Sequence, residues 1–229
     1  MPLDLANPGR TIHVGVILLG GLTEVLDVGP IDLIHGISKP FVDILPDTLL
    51  SAEVKAQALD TEFHWVSEAG ETRPSRLTSN MSLAATDSFE TCPPLDIVLI
   101  GASFQPGITE AELAFVRKSY QECSAFITVC GGIEAPLRAG ILEGKTATAP
   151  RFMLEELRLK AAGTQWVERR WARDGKLWTS GTLLNGLDLM SAFIRATWPS
   201  GEGSLVDLTM KMCAWPNRDP EYKDVPWKD

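Results

Sequence analysis

The chain has 229 residues, 45% of them hydrophobic and 22% charged, enough apolar content to bury one sizeable core. Its formal net charge of −9 excludes a broadly basic nucleic-acid-binding surface, and the one basic cluster, Arg169-Arg170-Trp171-Ala172-Arg173, reads as a charged hairpin edge. No apolar run is long enough to span a bilayer. The four scattered cysteines (Cys92, Cys123, Cys130, Cys213) and three histidines (His13, His35, His64) fit neither a disulfide framework nor metal-ligand spacing, so no metal or cofactor is expected and a reducing cytoplasm fits best.

Residues 1–11 read as a loose arm without the apolar core of a signal peptide, 12–214 as a single domain, and 215–229 as a Trp- and Pro-rich tail. Ile12 to Leu19 is a short apolar run before Gly20-Gly21 and predicts the first buried strand. Thr23 can cap the helical stretch Glu24 to Ser38, which Gly29-Pro30 should bend or restart. Asp27 stands near that bend. An acid in an apolar helix has a partner, a task, or the plainer job of capping the restarted helix.

A second strand is predicted over Thr61 to Val66, and a short one within Arg73 to Leu83. Asp96 to Ile100 is a strong buried-strand signal stopped by Gly101-Ala102-Ser103. Thr109 and Glu112 form a capping-box pattern for a helix to about Glu122. After the β-branched run ending at Val129 come Cys130-Gly131-Gly132, a helix to Ala139, and Gly140 to end it. Thr146 to Ala149 is a brief strand or turn, and Pro150 opens a helix through Leu159. Trp166 to Ala172 and Lys176 to Thr179 are strands of a hairpin turning at Asp174-Gly175. Ser180-Gly181 leads into a long helix from Leu183 to Trp198, and a last helix covers Ser204 to Ala214.

Strands and helices alternate, and the strands are apolar throughout. That pattern predicts an α/β sandwich: a mainly parallel sheet with helices on both faces and a small β-hairpin. In such folds chemistry gathers at the carboxyl ends of the strands. Four glycine-marked strand ends would meet there, bringing Gly21, Gly101, Ala102, Ser103, Gly131, Gly132, Pro150, Ser180 and Gly181 around Cys130. A cysteine on a sharp strand-to-helix turn has the logic of a nucleophile elbow, where adjacent amides and a helix dipole favour the thiolate. Cys130 is therefore expected to be the most reactive thiol. The plainer reading is a free cysteine closing a core strand.

Several blocks together resemble the ThiJ/PfpI superfamily of the class I glutamine-amidotransferase-like fold. They are Asp27-Val28-Gly29-Pro30, Asp96 to Gly101, Val129-Cys130 with Gly132, Ala139 to Thr148, and Thr179-Ser180-Gly181. Ala149-Pro150-Arg151-Phe152 and Trp178 to Gly181 are similar to the fungal-type, isonitrile hydratase-like branch. The resemblance implies a flavodoxin-like sandwich, a homodimer, and an elbow cysteine beside a carboxyl from the first strand–helix junction. The cysteine maps to Cys130 and the carboxyl to Asp27, with Glu24 in reserve because many relatives space the acid one residue further from Gly-Pro. Two departures stand out. Gly131 occupies the place of a Thr or Asn, and no histidine follows Cys130, which rules out the downstream His of an amidotransferase triad.

The resemblance implies a cofactor-independent cysteine enzyme acting on a small electrophile by hydration or lyase chemistry. The amides of Gly131 and Ala102 would hold negative charge, and Asp27 or Glu24 would move the proton. Glyoxalase-like aldehyde conversion, a tailoring enzyme of secondary metabolism, and a non-catalytic redox sensor or ligand-binding module are the alternatives.

Overall fold

The computed structural model describes residues 2–104 and 107–225. Its main sheet has six strands: β1 (Ile12–Ile17), β2 (Thr61–Val66), β3 (Ile97–Ile100), β4 (Ala125–Val129), β5 (Trp171–Asp174) and β6 (Leu177–Ser180). Their order across the sheet is β5-β6-β4-β3-β1-β2. All neighbours pair in parallel except the β5–β6 hairpin. The result is the flavodoxin-like arrangement expected from alternating apolar strands and helices.

Every residue of β3 and β4 is buried, because apolar layers cover both faces of the sheet. Alternate residues serve different cores. Val14, Val16, Leu99, Ile127 and Val129 face one cluster, and Ile17, Val98, Ile100 and Phe126 face the other. The principal helices are α1 (Glu110–Glu122), α2 (Arg151–Lys160), α3 (Asn185–Thr197) and α4 (Leu205–Met212). Thr109 and Glu112 form the capping box at the start of α1. The buried Glu112 carboxylate also accepts the N–H of Gly20, fixing the loop after β1.

Gly29-Pro30 bends the first helical stretch as anticipated. It becomes a turn of helix at Val25–Val28, a 3-10 turn at Gly29–Ile31 and a second helical turn at Asp32–His35. The restarted helix has no side-chain cap, so Asp27 is not a capping residue. The stretch read as one strand from Trp166 to Ala172 is divided. Gln165–Trp166 pairs with Thr146–Ala147, and the main-sheet strand begins only at Trp171.

The reason for the division lies in the arginines. Arg170 is 1% exposed and clasps the tail rather than guarding a hairpin edge. Its backbone N–H donates to the Pro220 carbonyl (2.7 Å), its Nε to that of Asp219 (3.0 Å), and its guanidinium pairs with Asp224 (2.8 Å). Arg169 pairs with Glu221 at 2.8 Å, and Arg218 of the tail pairs with buried Asp188 of α3 at 2.5 Å. The arm expected to be loose is also held down. Leu5 is buried, its carbonyl accepts Trp198 Nε1–H, and Arg10 forms a two-pronged ion pair with Asp96.

Arg170→Met removes the buried cation that organises the tail. It is expected to lower stability by about 1.5–3 kcal/mol, the range for lost hydrogen bonds to a charged group, since Asp224 remains in reach of solvent. The tail beyond Arg218 should become the first site of proteolytic cleavage. Chemical denaturation and limited proteolysis read the two effects.

Candidate active site

Cys130 closes β4 with φ at 57°, a left-handed conformation that costs energy in any residue but glycine. The turn is made possible by Gly132. A Cβ there would lie 2.3 Å from the Ile100 carbonyl oxygen, so no side chain fits where the elbow crosses the end of β3. The Cys130 N–H donates to the Gly181 carbonyl (3.1 Å), which docks the elbow against the end of β6. The structure thus has the sharp strand-to-helix turn read from the two glycines, entered through a 3-10 turn at Cys130–Ile133 and a helical turn at Glu134–Arg138.

Asp27 reaches the same point from the first strand–helix junction. It is fully buried, and its Oδ2 accepts the Ala102 N–H at 2.9 Å. A Cβ on Gly101 would stand 2.8 Å from the Asp27 Cβ, so the approach requires glycine there as well. Asp27 Oδ1 is buried without a well-formed hydrogen bond. Glu24, half-buried, also points inward. Its carboxylate, that of Asp27 and Cys130 Sγ all lie within 4.8 Å of one another. The two acids considered as alternatives are therefore both beside the sulfur.

Burial decides the protonation states. It pushes Asp27 up to about 7, against the opposing hydrogen bond from Ala102 and with the charge of Glu24 adding to the rise. It also pushes the Cys130 thiol up to about 12, reinforced by the negative charge of Asp27. The N–H groups of Gly131 and Leu183 favour the thiolate but do not overcome these two effects. These surroundings favour a neutral thiol over the thiolate expected from the turn alone. The first proton to leave the pair comes from the carboxyl. The Ala102 N–H also differs from expectation: it is taken by Asp27 and is not open to a developing oxyanion. The two oxygens and sulfur could ligate a soft divalent ion only once the thiol ionises, which these surroundings oppose.

Of the other residues expected at the site, Gly181 accepts from Cys130 through its carbonyl, and Ser180 is buried beside it. Ser103 accepts the Gly21 N–H through Oγ at 3.2 Å in a small second sheet, one step away from Glu24. Pro150 is the residue before α2 and is buried. Leu183 was not anticipated. Its φ is 43°, and its N–H faces both Asp27 and Cys130. No motif marks it, because the contribution is made by backbone in a strained turn.

A cavity of about 640 Å³ adjoins the elbow through Leu183 and is bounded by Phe152, Leu184, Asn185, Arg218 and Tyr222. Asn185 Nδ2 donates to the Tyr222 hydroxyl at 3.1 Å, so the tail forms part of the wall. A second cavity of about 410 Å³ is lined by Gly20, Gly21, Arg73 and Glu112. Neither wall includes Cys130 or Asp27.

Two outcomes are expected. Asp27 holds its proton more tightly in the folded chain than at its ordinary value of 3.8, so its stabilising contribution is complete below that pH and is lost as pH rises through about 7. Asp27→Asn cannot ionise. Its stability relative to the wild type should climb by up to about 1.4 kcal/mol per pH unit between those limits, as read by urea melts at several pH values. A difference constant with pH would show that Asp27 is ionised throughout. Sub-stoichiometric iodoacetamide should mark exposed Cys213 first and buried Cys130 only later, reversing the order expected from the elbow alone. Mass mapping distinguishes the two.

The DJ-1/PfpI family profile matches residues 47–196. The chain is 28% identical to the isonitrile hydratase of Pseudomonas putida over 176 residues, covering 76% of this chain and 75% of that protein. Among solved structures, a ThiJ/PfpI family protein from Pseudomonas syringae superposes with a TM-score of 0.66 at 18% identity, covering 93% of this chain and 78% of that one. Drosophila melanogaster DJ-1beta does so with a TM-score of 0.64 at 14% identity, covering 90% of this chain and all (100%) of that one. With the profile spanning the sheet strands β2 to β6 and the cysteine elbow, the chain belongs to the DJ-1/PfpI family.

Proposed function

We propose that this protein is a cofactor-independent lyase of the hydratase type, adding water to a small electrophilic carbon such as that of an isocyanide. The observation that carries the reading is the cluster of half-buried Glu24 with buried Asp27 and Cys130 within 4.8 Å, in a chain with no histidine after the cysteine. The likeness to an isonitrile hydratase supports the same chemistry.

Asp27 starts protonated and delivers its proton to the terminal carbon of R–N≡C. The Cys130 sulfur bonds to that carbon while its own proton passes to the vacated Asp27 carboxylate, giving R–N=CH–S–Cys. Water then adds to the carbon. The carbon–sulfur bond breaks, the sulfur regains a proton, and the nitrogen takes the other, releasing R–NH–CHO. A neutral thiol needs a base at the moment of attack, and Asp27 becomes that base only after protonating the substrate. Glu24 supports the raised affinity of Asp27 for its proton by charge repulsion. The R group would occupy the cavity beyond Leu183, where Phe152, Leu184 and Tyr222 offer apolar contact beside Arg151, Arg170 and Arg218.

That cavity also favours a second reading, a tailoring enzyme in which pocket shape matters more than the thiol. A redox-sensing role fits less well, since sensor cysteines are exposed and low in pKa, whereas Cys130 is buried with a raised one. We further propose a homodimer. Exposed Phe152 and Leu184 line the cavity beside the elbow and would be covered by a second copy. Sedimentation at micromolar concentration tests it, a clean monomer refuting it.

A panel of isocyanides, α-oxoaldehydes and imines should give turnover with isocyanides in the wild type. Asp27→Asn should lower kcat by ~100-fold or more, as should Cys130→Ser. Turnover that survives Cys130→Ser would favour the tailoring reading. Conversion of α-oxoaldehydes alone would replace hydration by glyoxalase-like chemistry. Because Asp27 must start protonated, kcat/KM should fall about tenfold per pH unit above about 7. Glu24→Gln should shift that inflection to lower pH without abolishing activity.

A further inference from the structure

A second polar cluster lies at the amino-terminal end of the main sheet, away from the elbow. His13 near the start of β1 and Glu62 in β2 are direct cross-strand partners, and His64 follows two residues later on the same face of β2. The spacing along the chain hides this, because His13 and His64 are 51 positions apart and only parallel pairing of β1 with β2 aligns them.

The geometry is that of three donors facing one point. His13 Nδ1 lies 3.0 Å from His64 Nε2 and 3.6 Å from Glu62 Oε2, and all three ligand atoms fall within 4.8 Å of one another. A tetrahedral ion with bonds of about 2.0–2.1 Å has donor–donor edges of about 3.3 Å, between the two shorter separations. Behind the first donors stands a supporting shell. His64 Nδ1 lies 3.0 Å from Asp87 Oδ2, which also accepts from the Thr86 hydroxyl at 2.7 Å. The Asp87 carboxylate accepts the hydrogen bond of His64 Nδ1–H. The Nε2 lone pair is thereby turned toward His13 and Glu62, the arrangement by which carboxylates orient metal-ligating histidines. Exposed Glu62 and half-buried His13 leave a route in from solvent, while His64 and Asp87 are fixed beneath.

We propose that His13 Nδ1, His64 Nε2 and the Glu62 carboxylate form a binding site for one divalent transition-metal ion of the zinc type. The bound ion joins edge strand β2 to β1 and keeps a fourth position for water. No spacing along the chain marks these three donors as a metal set; strand register alone brings them together.

The test uses the full, untagged chain, stripped by chelator and dialysed against Zn²⁺. The wild type should retain one zinc per chain and melt at a higher temperature with zinc than without. His13→Gln and Glu62→Gln sit at accessible positions and should keep the native circular dichroism while weakening binding at least ~10-fold. Asp87→Asn should weaken it ~10–100-fold through its hold on His64. Cys130→Ala should bind zinc like the wild type, and Co²⁺ should give a spectrum without thiolate-to-metal charge transfer. Loss of zinc in Cys130→Ala would overturn the proposal by placing the ion at the elbow. So would the absence of saturable binding, or wild-type binding in His13→Gln.

Discussion

One hydrogen bond organises the candidate site: the Ala102 N–H donating to Asp27 Oδ2. It joins the junction after the first strand to the end of the third, and it draws a carboxyl into a fully buried position beside the elbow. An isolated buried carboxylate is strongly disfavoured, and a single hydrogen bond offsets only part of that cost. The carboxyl responds by holding its proton up to about pH 7. Everything proposed for the chemistry depends on that state, because the proton available for transfer is carried by oxygen rather than sulfur.

The backbone around this bond is shaped to match. Gly101 and Gly132 are places where two segments of the backbone cross too closely for a side chain. Cys130 and Leu183 both hold positive φ although neither is glycine. Such strain is maintained only when surrounding packing over-determines it. Here β3, β4 and β6 are buried on both faces and leave the two turns no room to relax.

Much of this was legible in the residues. Apolar strands ended by glycine gave the parallel sheet, the Thr109–Glu112 pattern gave a helix start, and Cys130-Gly131-Gly132 gave the elbow. The charge state of the elbow was not legible, because it depends on how deeply Asp27 and Cys130 are buried and on two acids converging there. Nor was the role of Arg170, which a linear reading places among exposed hairpin charges but the fold turns inward to meet the tail. Leu183 contributes an amide, and amides carry no signature in sequence. His13 and His64 illustrate the same limit, since their proximity comes only from strand register.

The hold of Arg170 on the tail separates two kinds of restraint. Cys130 and Asp27 are held where backbone segments cross at Gly132 and Gly101, so almost any side chain added there meets a neighbour. Part of the cavity wall, including Tyr222, belongs to a terminal segment anchored by ion pairs and a few carbonyls. Mutation in that segment can change which molecules fit while leaving the elbow untouched. The sheet and the tail are thus held by different forces: close packing fixes Cys130 and Asp27, and ion pairs fix the wall that Tyr222 completes.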